Sequence, residues 1–235
     1  MRALPDWLDR LRAVSTLRNP FSFAGVLMPT ASLPQSATIL TANERPGLAA
    51  VRTLRRVAAQ DTYEHKELAE LHRSGLPVKS DQAVRGAILA YALDYLADAG
   101  EVLEGVDDSY GKALLGLVYA ELEEWDEALA LLSGLDDLPE AACEAIRVLI
   151  AAGRHDEAEQ RLDAMADGPE REFLYGLLFE AQGSVERAIS SYEGALEREP
   201  EHVEAAFKLG VLLDRIGDDD MAVEYYLVCA DVHPH

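Results

Sequence analysis

Apolar positions recur at a helical step through residues 80–235. Five alanines, Ala99, Ala128, Ala158, Ala188 and Ala222, stand 29, 30, 30 and 34 residues apart. Four residues after each comes a large apolar or aromatic residue: Leu103, Leu132, Leu162, Tyr192 and Tyr226. Three further on come Val106, Leu135, Met165, Ala195 and Cys229. A four-then-three step is one face of a helix. Twelve residues before each alanine lies the centre of an earlier apolar face, at Ala87, Gly116, Ile146, Gly176 and Gly210, continued three residues on by Ala90, Tyr119, Leu149, Phe179 and Leu213. Polar or glycine-bearing breaks at 123–126, 152–155, 182–185 and 217–220 separate the two faces. The pattern predicts five helix-turn-helix units, 80–108, 109–138, 139–168, 169–202 and 203–235, with almost no strand. One helix pair cannot bury its own apolar face, so successive pairs must stack. Gly176 and Gly210 fit positions where two helices cross closely, a gain that outweighs the cost of about 1 kcal/mol for an interior helix glycine.

Residues 1–79 lack this register. Val51, Leu54, Val57 and Ala58 predict a helix over 48–59, and a second is expected over 63–72, ended by Gly75 and Pro77. Residues 18–47 carry Pro20, Pro29, Pro34 and Pro46 and read as irregular. The expected organisation is an N-terminal arm, 1–79, followed by a repeat array, 80–235.

The residues of the later units resemble the tetratricopeptide repeat. Tyr175-Gly176 followed by Phe179 matches the family's L-G-x-x-Y, and Ala188, Tyr192, Ala195 and Pro200 match its A-x-x-x-F-x-x-A…P. Leu209-Gly210, Leu213, Ala222, Tyr226 and Pro234 repeat the match. Units 80–108, 109–138 and 139–168 are shorter, lack the proline, and are expected to have clipped second helices. The family's early tryptophan is absent from all five units. The resemblance implies an all-α fold, a right-handed α-solenoid that binds another protein on its concave face.

Carrying the family's groove positions over gives Tyr110, Leu117, Glu121, Arg147, Phe173, Leu177, Glu180, Phe207, Val211, Asp214 and Arg215 as candidate peptide contacts. They form apolar anchors ringed by acid, suited to an amphipathic helix or extended peptide with basic flanks. The lysine and asparagine with which chaperone-binding members clamp a terminal carboxylate are missing. The order of the units is also similar to bacterial repeat proteins carrying an RNA polymerase alpha C-terminal-like domain. That implies an alternative, a transcription-associated module; a third reading is the accessory domain of an enzyme.

Charge sharpens the partner. The chain carries a net −22, but residues 1–80 hold 11 basic and 7 acidic residues, whereas residues 81–235 hold 10 and 36. So acidic an array repels phosphate backbones, which argues against direct nucleic-acid binding. It suits a basic protein partner, bound in a salt-sensitive way, or serves solubility alone.

Cys143 and Cys229 lie far apart and outside any C-x-x-C, which fits a reducing compartment and a cytoplasmic protein. The apolar stretch 21–28 has the look of a signal-peptide core, but Asp6, Asp9 and Pro20 oppose that reading. No apolar run is long enough to span a membrane. No phosphate-binding, nucleotide-binding or hydrolase motif occurs. His65 and His72, with Glu64, Glu67 and Glu70, share a helix face that reads as solvated charge rather than a metal site. Asp218-Asp219-Asp220 lacks the spacing of a calcium loop and suits a helix N-terminus. The expectation is a non-enzymatic scaffold with no cofactor and no metal. Its last helix, 221–232, turns Ala222, Tyr226 and Cys229 inward and leaves Val223, Leu227 and Val228 open to self-association through the C-terminal end.

Overall fold

A computed structural model describes residues 38–42, 44–76 and 81–232. Pro20, Pro29, Pro34, Pro77, Pro234 and the apolar stretch 21–28 lie outside the described residues. Among those described there are thirteen helices and no strand. They are α1 (Thr38–Thr41), α2 (Leu48–Gln60), α3 (Thr62–Ser74), α4 (Gln82–Ala92), α5 (Leu96–Leu103), α6 (Ser109–Glu121) and α7 (Trp125–Leu132). There follow α8 (Pro139–Ala151), α9 (His155–Ala164), α10 (Pro169–Ala181), α11 (Val185–Arg198), α12 (Val203–Arg215) and α13 (Asp219–Val232). Ten of them, α4 to α13, fall two to each of the ranges 80–108, 109–138, 139–168, 169–202 and 203–235. The clipped second helices are also present: α5 and α7 have 8 residues and α9 has 10, against 14 in α11 and α13.

The turn inside each pair is one motif used five times. Asp94, Glu123, Gly153, Gly183 and Gly217 all have positive φ, from 59° to 82°. Each stands five residues before the periodic alanine. At the fourth turn the Gly183 N–H donates to the Glu180 carbonyl and the Ser184 N–H to the Phe179 carbonyl. The same pair of bonds closes the turns at Glu123 and Gly217. This closure satisfies the last carbonyls of the first helix and needs a left-handed residue at its centre.

Helix starts follow local chemistry. Asp61 accepts the Tyr63 and Glu64 N–H groups at the start of α3, Asp108 accepts the Gly111 N–H at the start of α6, and His202 Nδ1 accepts the Ala205 N–H at the start of α12. Pro139 and Pro169 occupy first turns, where a missing N–H costs nothing.

The chain divides into two compact bodies, one over the described part of 28–152 and one over 153–232. In the first, α4 to α8 pack each on its neighbours in sequence, with α4 meeting α6 and α6 meeting α8. There α2 packs on α3 and α4, and α3 on α4. In the second, α10 pairs with α11 and α12 with α13, around Phe173, Tyr192, Leu196, Leu209 and Tyr225. The close crossings are where the periodicity puts them. A Cβ at Gly176 would run into the Tyr192 ring, one at Gly210 would lie 2.8 Å from Tyr226 Cε1, and one at Gly116 would lie 2.9 Å from Leu132 Cγ.

One expectation for the last helix changes. Val228 is buried, while Ala222, Tyr226 and Cys229 pack on the core as expected, with Tyr225 fully buried beside them. Val223 and Leu227 are the open pair, at 54% and 55% exposure.

Candidate partner-binding face

The first helices of the units in the first body, α4, α6 and α8, share a face that carries Asp81, Tyr91, Asp108, Tyr110, Glu121, Glu140 and Glu144. Helix α2 lies against it. Its apolar residues Leu48, Val51, Leu54 and Ala58 are all buried. Arg52 and Arg55, with Arg45 just before the helix, tie it to the face along its length.

Arg45 reaches the starts of two helices at once. Its Nε and Nη2 donate to the two oxygens of Asp81 at 2.7 and 3.0 Å, and its Nη1 donates to Asp108 at 2.8 Å. The guanidinium also stands 5.2 Å from the Tyr110 ring centre. Bidentate pairing and stacking on an aromatic face are what distinguish arginine from lysine. The Arg45 guanidinium holds the Asp81 carboxyl below its ordinary range. Burial would raise Asp108, but the Gly111 N–H and Arg45 outweigh it and hold that carboxyl low as well. The Tyr110 hydroxyl donates to the Pro46 carbonyl, and burial pushes its pKa up.

Next along the chain, the Leu48 N–H donates to Glu140 Oε2 at 2.6 Å. A carboxylate from α8 thus caps α2, whose own N-cap, Gly47, supplies no side chain. A Cβ on Gly47 would lie 3.1 Å from Glu140 Oε1, so the carboxylate's approach depends on that glycine. In mid-helix Arg52 pairs with Glu144, a buried carboxylate with Arg147 on its other side at 3.8 Å. At the far end Arg55 donates to the Tyr91 carbonyl at 2.6 Å, to Asp94 at 2.7 Å and to Glu121 at 3.1 Å, and lies 4.9 Å from the Tyr91 ring centre. The Tyr91 hydroxyl donates to Glu121 at 3.0 Å, and burial together with that carboxylate pushes its pKa up. Upstream of α2, the fully buried Arg85 of α4 donates to the carbonyls of Leu40, Ala42 and Glu44, which fixes the path of the incoming chain.

Tyr110, Glu121 and Arg147, three of the four residues expected from this part of the sequence, therefore do stand on or beside one face. The fourth, Leu117, is buried in the helix packing. In the second body Phe173 is also a core residue, 1% exposed, between the rings of Tyr192 at 5.6 Å and His202 at 4.8 Å. Leu177, Phe207 and Val211 are half-buried, and Asp214 and Arg215 are exposed. Glu180 accepts from the Tyr192 hydroxyl at 2.9 Å and from Lys208 at 3.1 Å, with Arg215 at 3.9 Å. Acid and base are mixed here, whereas the first body's face is nearly all acid.

Sequence reasoning missed Arg45, Arg52, Arg55 and their partners Asp81, Asp108 and Glu144. Two signals pointed to them: the basic residues gathered before position 80, and three arginines seven and three residues apart, one face of a helix.

Among the described residues no group of three or more His, Cys, Asp or Glu side chains is placed to hold a metal, and no helix is long and apolar enough to cross a membrane. Residues 173–231 match the family model of the tetratricopeptide repeat. The described residues form an all-α array of helices, and its C-terminal stretch is similar to tetratricopeptide repeats. No curated protein matches it. Solved structures similar to it include TTC0263, a thermophilic TPR protein in Thermus thermophilus, at 18% identity over 69% of this chain and 98% of that one, with a TM-score of 0.49. YrrB, a TPR protein with an unusual peptide-binding site, is 17% identical over 71% of this chain and 92% of that one, with a TM-score of 0.38. MamA from Desulfovibrio magneticus RS-1 is 17% identical over 77% and 94%, with a TM-score of 0.40.

Proposed function

We propose that this protein is a non-catalytic scaffold that holds a helical or extended segment of another protein on the inner faces of its repeats. One observation carries the reading: the face of α4, α6 and α8 holds a helix, α2, through arginine–carboxylate pairs and buried apolar side chains. A surface built to seat one amphipathic basic helix has the chemistry to recognise another. In the second body the corresponding residues are Leu177, Glu180, Phe207, Val211, Asp214 and Arg215, a half-buried apolar strip edged by charge. That composition suits a protein ligand, and the acid elsewhere disfavours nucleic acid. The cysteine usage supports a reducing compartment, the cytoplasm.

The test is a photo-crosslinking amino acid placed at Val211, on the inner face, or at Glu197, exposed on α11, in the source cell. The expected result is a discrete protein adduct from position 211 and none from 197. Equal adducts from both positions, or nucleic acid in place of protein, would remove the reading.

A further inference from the structure

We infer that α2 is a displaceable occupant of the acidic face of α4, α6 and α8, and that an arginine-bearing amphipathic helix of a partner protein takes its place. This rests on the scaffold reading above and names its ligand and its control.

The way α2 is attached supports exchange. Its backbone is satisfied within its own helix, so docking adds side-chain contacts and one capping bond rather than a shared hydrogen-bond ladder. Two of its three ionic anchors are at the rim. Arg45 and Asp81 are 29% and 38% exposed, and Asp94, which meets Arg55, is 75% exposed. Pairs this open to water contribute little each. Only Arg52 with Glu144 is deeply placed.

The face itself cannot stand empty cheaply. Without α2, the carboxylates of Asp81, Asp108, Glu121, Glu140 and Glu144 would face one another with Tyr91 and Tyr110 between them. Glu144 would lose its closer cation, Arg52, and keep Arg147 at 3.8 Å, which makes this the costliest part. The face therefore exchanges one cation-bearing helix for another, and an uncharged apolar helix is excluded. The geometry also sets the order of groups in the incoming segment. An arginine comes first, for Asp81 and Asp108. A glycine follows at the helix start, because a side chain there crowds Glu140. Arginines seven and ten residues after the first then meet Glu144 and Glu121. Apolar residues at the positions of Leu48, Val51 and Leu54 complete it. Lysine is a poor substitute at the first position, where the guanidinium bridges two carboxylates and stacks on a ring.

The experiment uses the full chain and a fluorescent peptide of residues 44–60. Binding is measured by anisotropy to the wild type and to R45A/R55A, which weakens the rim anchors and keeps Arg52 opposite Glu144. The variant is expected to bind the peptide about tenfold more tightly, because its own α2 competes less. A peptide with Arg45, Arg52 and Arg55 changed to glutamate should bind neither chain. Equal affinity for wild type and variant would overturn the inference. So would dimerisation of the variant in light scattering without a gain in peptide affinity, since the occupant would then be a second copy's α2. If the variant does not fold, the wild type decides. Excess peptide should speed hydrogen exchange of amides 48–60, and unchanged exchange at saturating peptide overturns the proposal. The crosslink from Val211 lies in the other body, so scaffold function and exchange of α2 fail separately.

Discussion

Glu123 holds a left-handed backbone, φ 59°, in the turn between α6 and α7, at the place taken by glycine in the last three units. A non-glycine residue there costs roughly 1 kcal/mol or more, because Cβ crowds the neighbouring carbonyl. Its side chain is exposed, so little is lost with it. Glu123→Gly should raise stability by about 0.5–1 kcal/mol, allowing for the greater freedom of glycine when unfolded. Urea denaturation checks this, and a fall in midpoint would show that the carboxylate contributes more than the strain costs. Asp94 is less suitable for the test, since it also meets Arg55. At this scale the sequence was informative wherever a position recurs. Gly176 and Gly210 stand against Tyr192 and Tyr226 because the last two units cross their helices at a similar, close depth. It was least informative at Phe173, which the family's groove positions place on the surface. His202, which caps α12, lays its ring over Phe173 and closes that site. The covering residue belongs to a different helix, 29 positions away, and no periodicity announces it.

Helix α2 was legible as a helix but not as an occupant. Its apolar stripe says that it packs, and nothing in a stripe says against what. The information lay in charge, with arginines on one side of residue 80 and carboxylates on the other. Those pairs give α2 a pH window. Asp81 and Asp108 have lowered pKa values in the folded chain, so their contribution is fully present above the ordinary value of 3.8 and is lost as pH falls through the folded values. Tyr91 and Tyr110 are raised, so theirs is present below the ordinary value of 10.0 and declines above it. The protection of amides 48–60 against hydrogen exchange, corrected for the intrinsic rate, should be flat between those limits and fall on both sides. A loss near pH 6 would point instead to a histidine.

The whole molecule combines two kinds of contact. Helices α4 to α13 were readable because helix arrays bury each helix largely against its sequence neighbours, so local pattern and fold coincide. The ties made by Arg45, Leu48, Arg52 and Arg55 join residues 36 to 92 positions apart and belong to no repeat. Because they are side-chain ties and not part of the repeat packing, α2 should open in native-state hydrogen exchange at a lower energy than α4, α6 and α8. A single opening energy shared by α2 and the helices it lies on would count against its displacement.

A stack of helix pairs is a spring. It bends by small changes in the angle between successive units, and the inner edge opens and closes the most. In the first body α2 bridges α4, α6 and α8 and is fastened near the beginning, middle and end of its length. It acts as a splint, fixing the spacing of α4, α6 and α8 against bending in either direction. Whatever occupies this face therefore sets the elastic compliance of the segment as well as its chemistry, and a ligand with fewer fastenings than α2 would leave behind a softer protein.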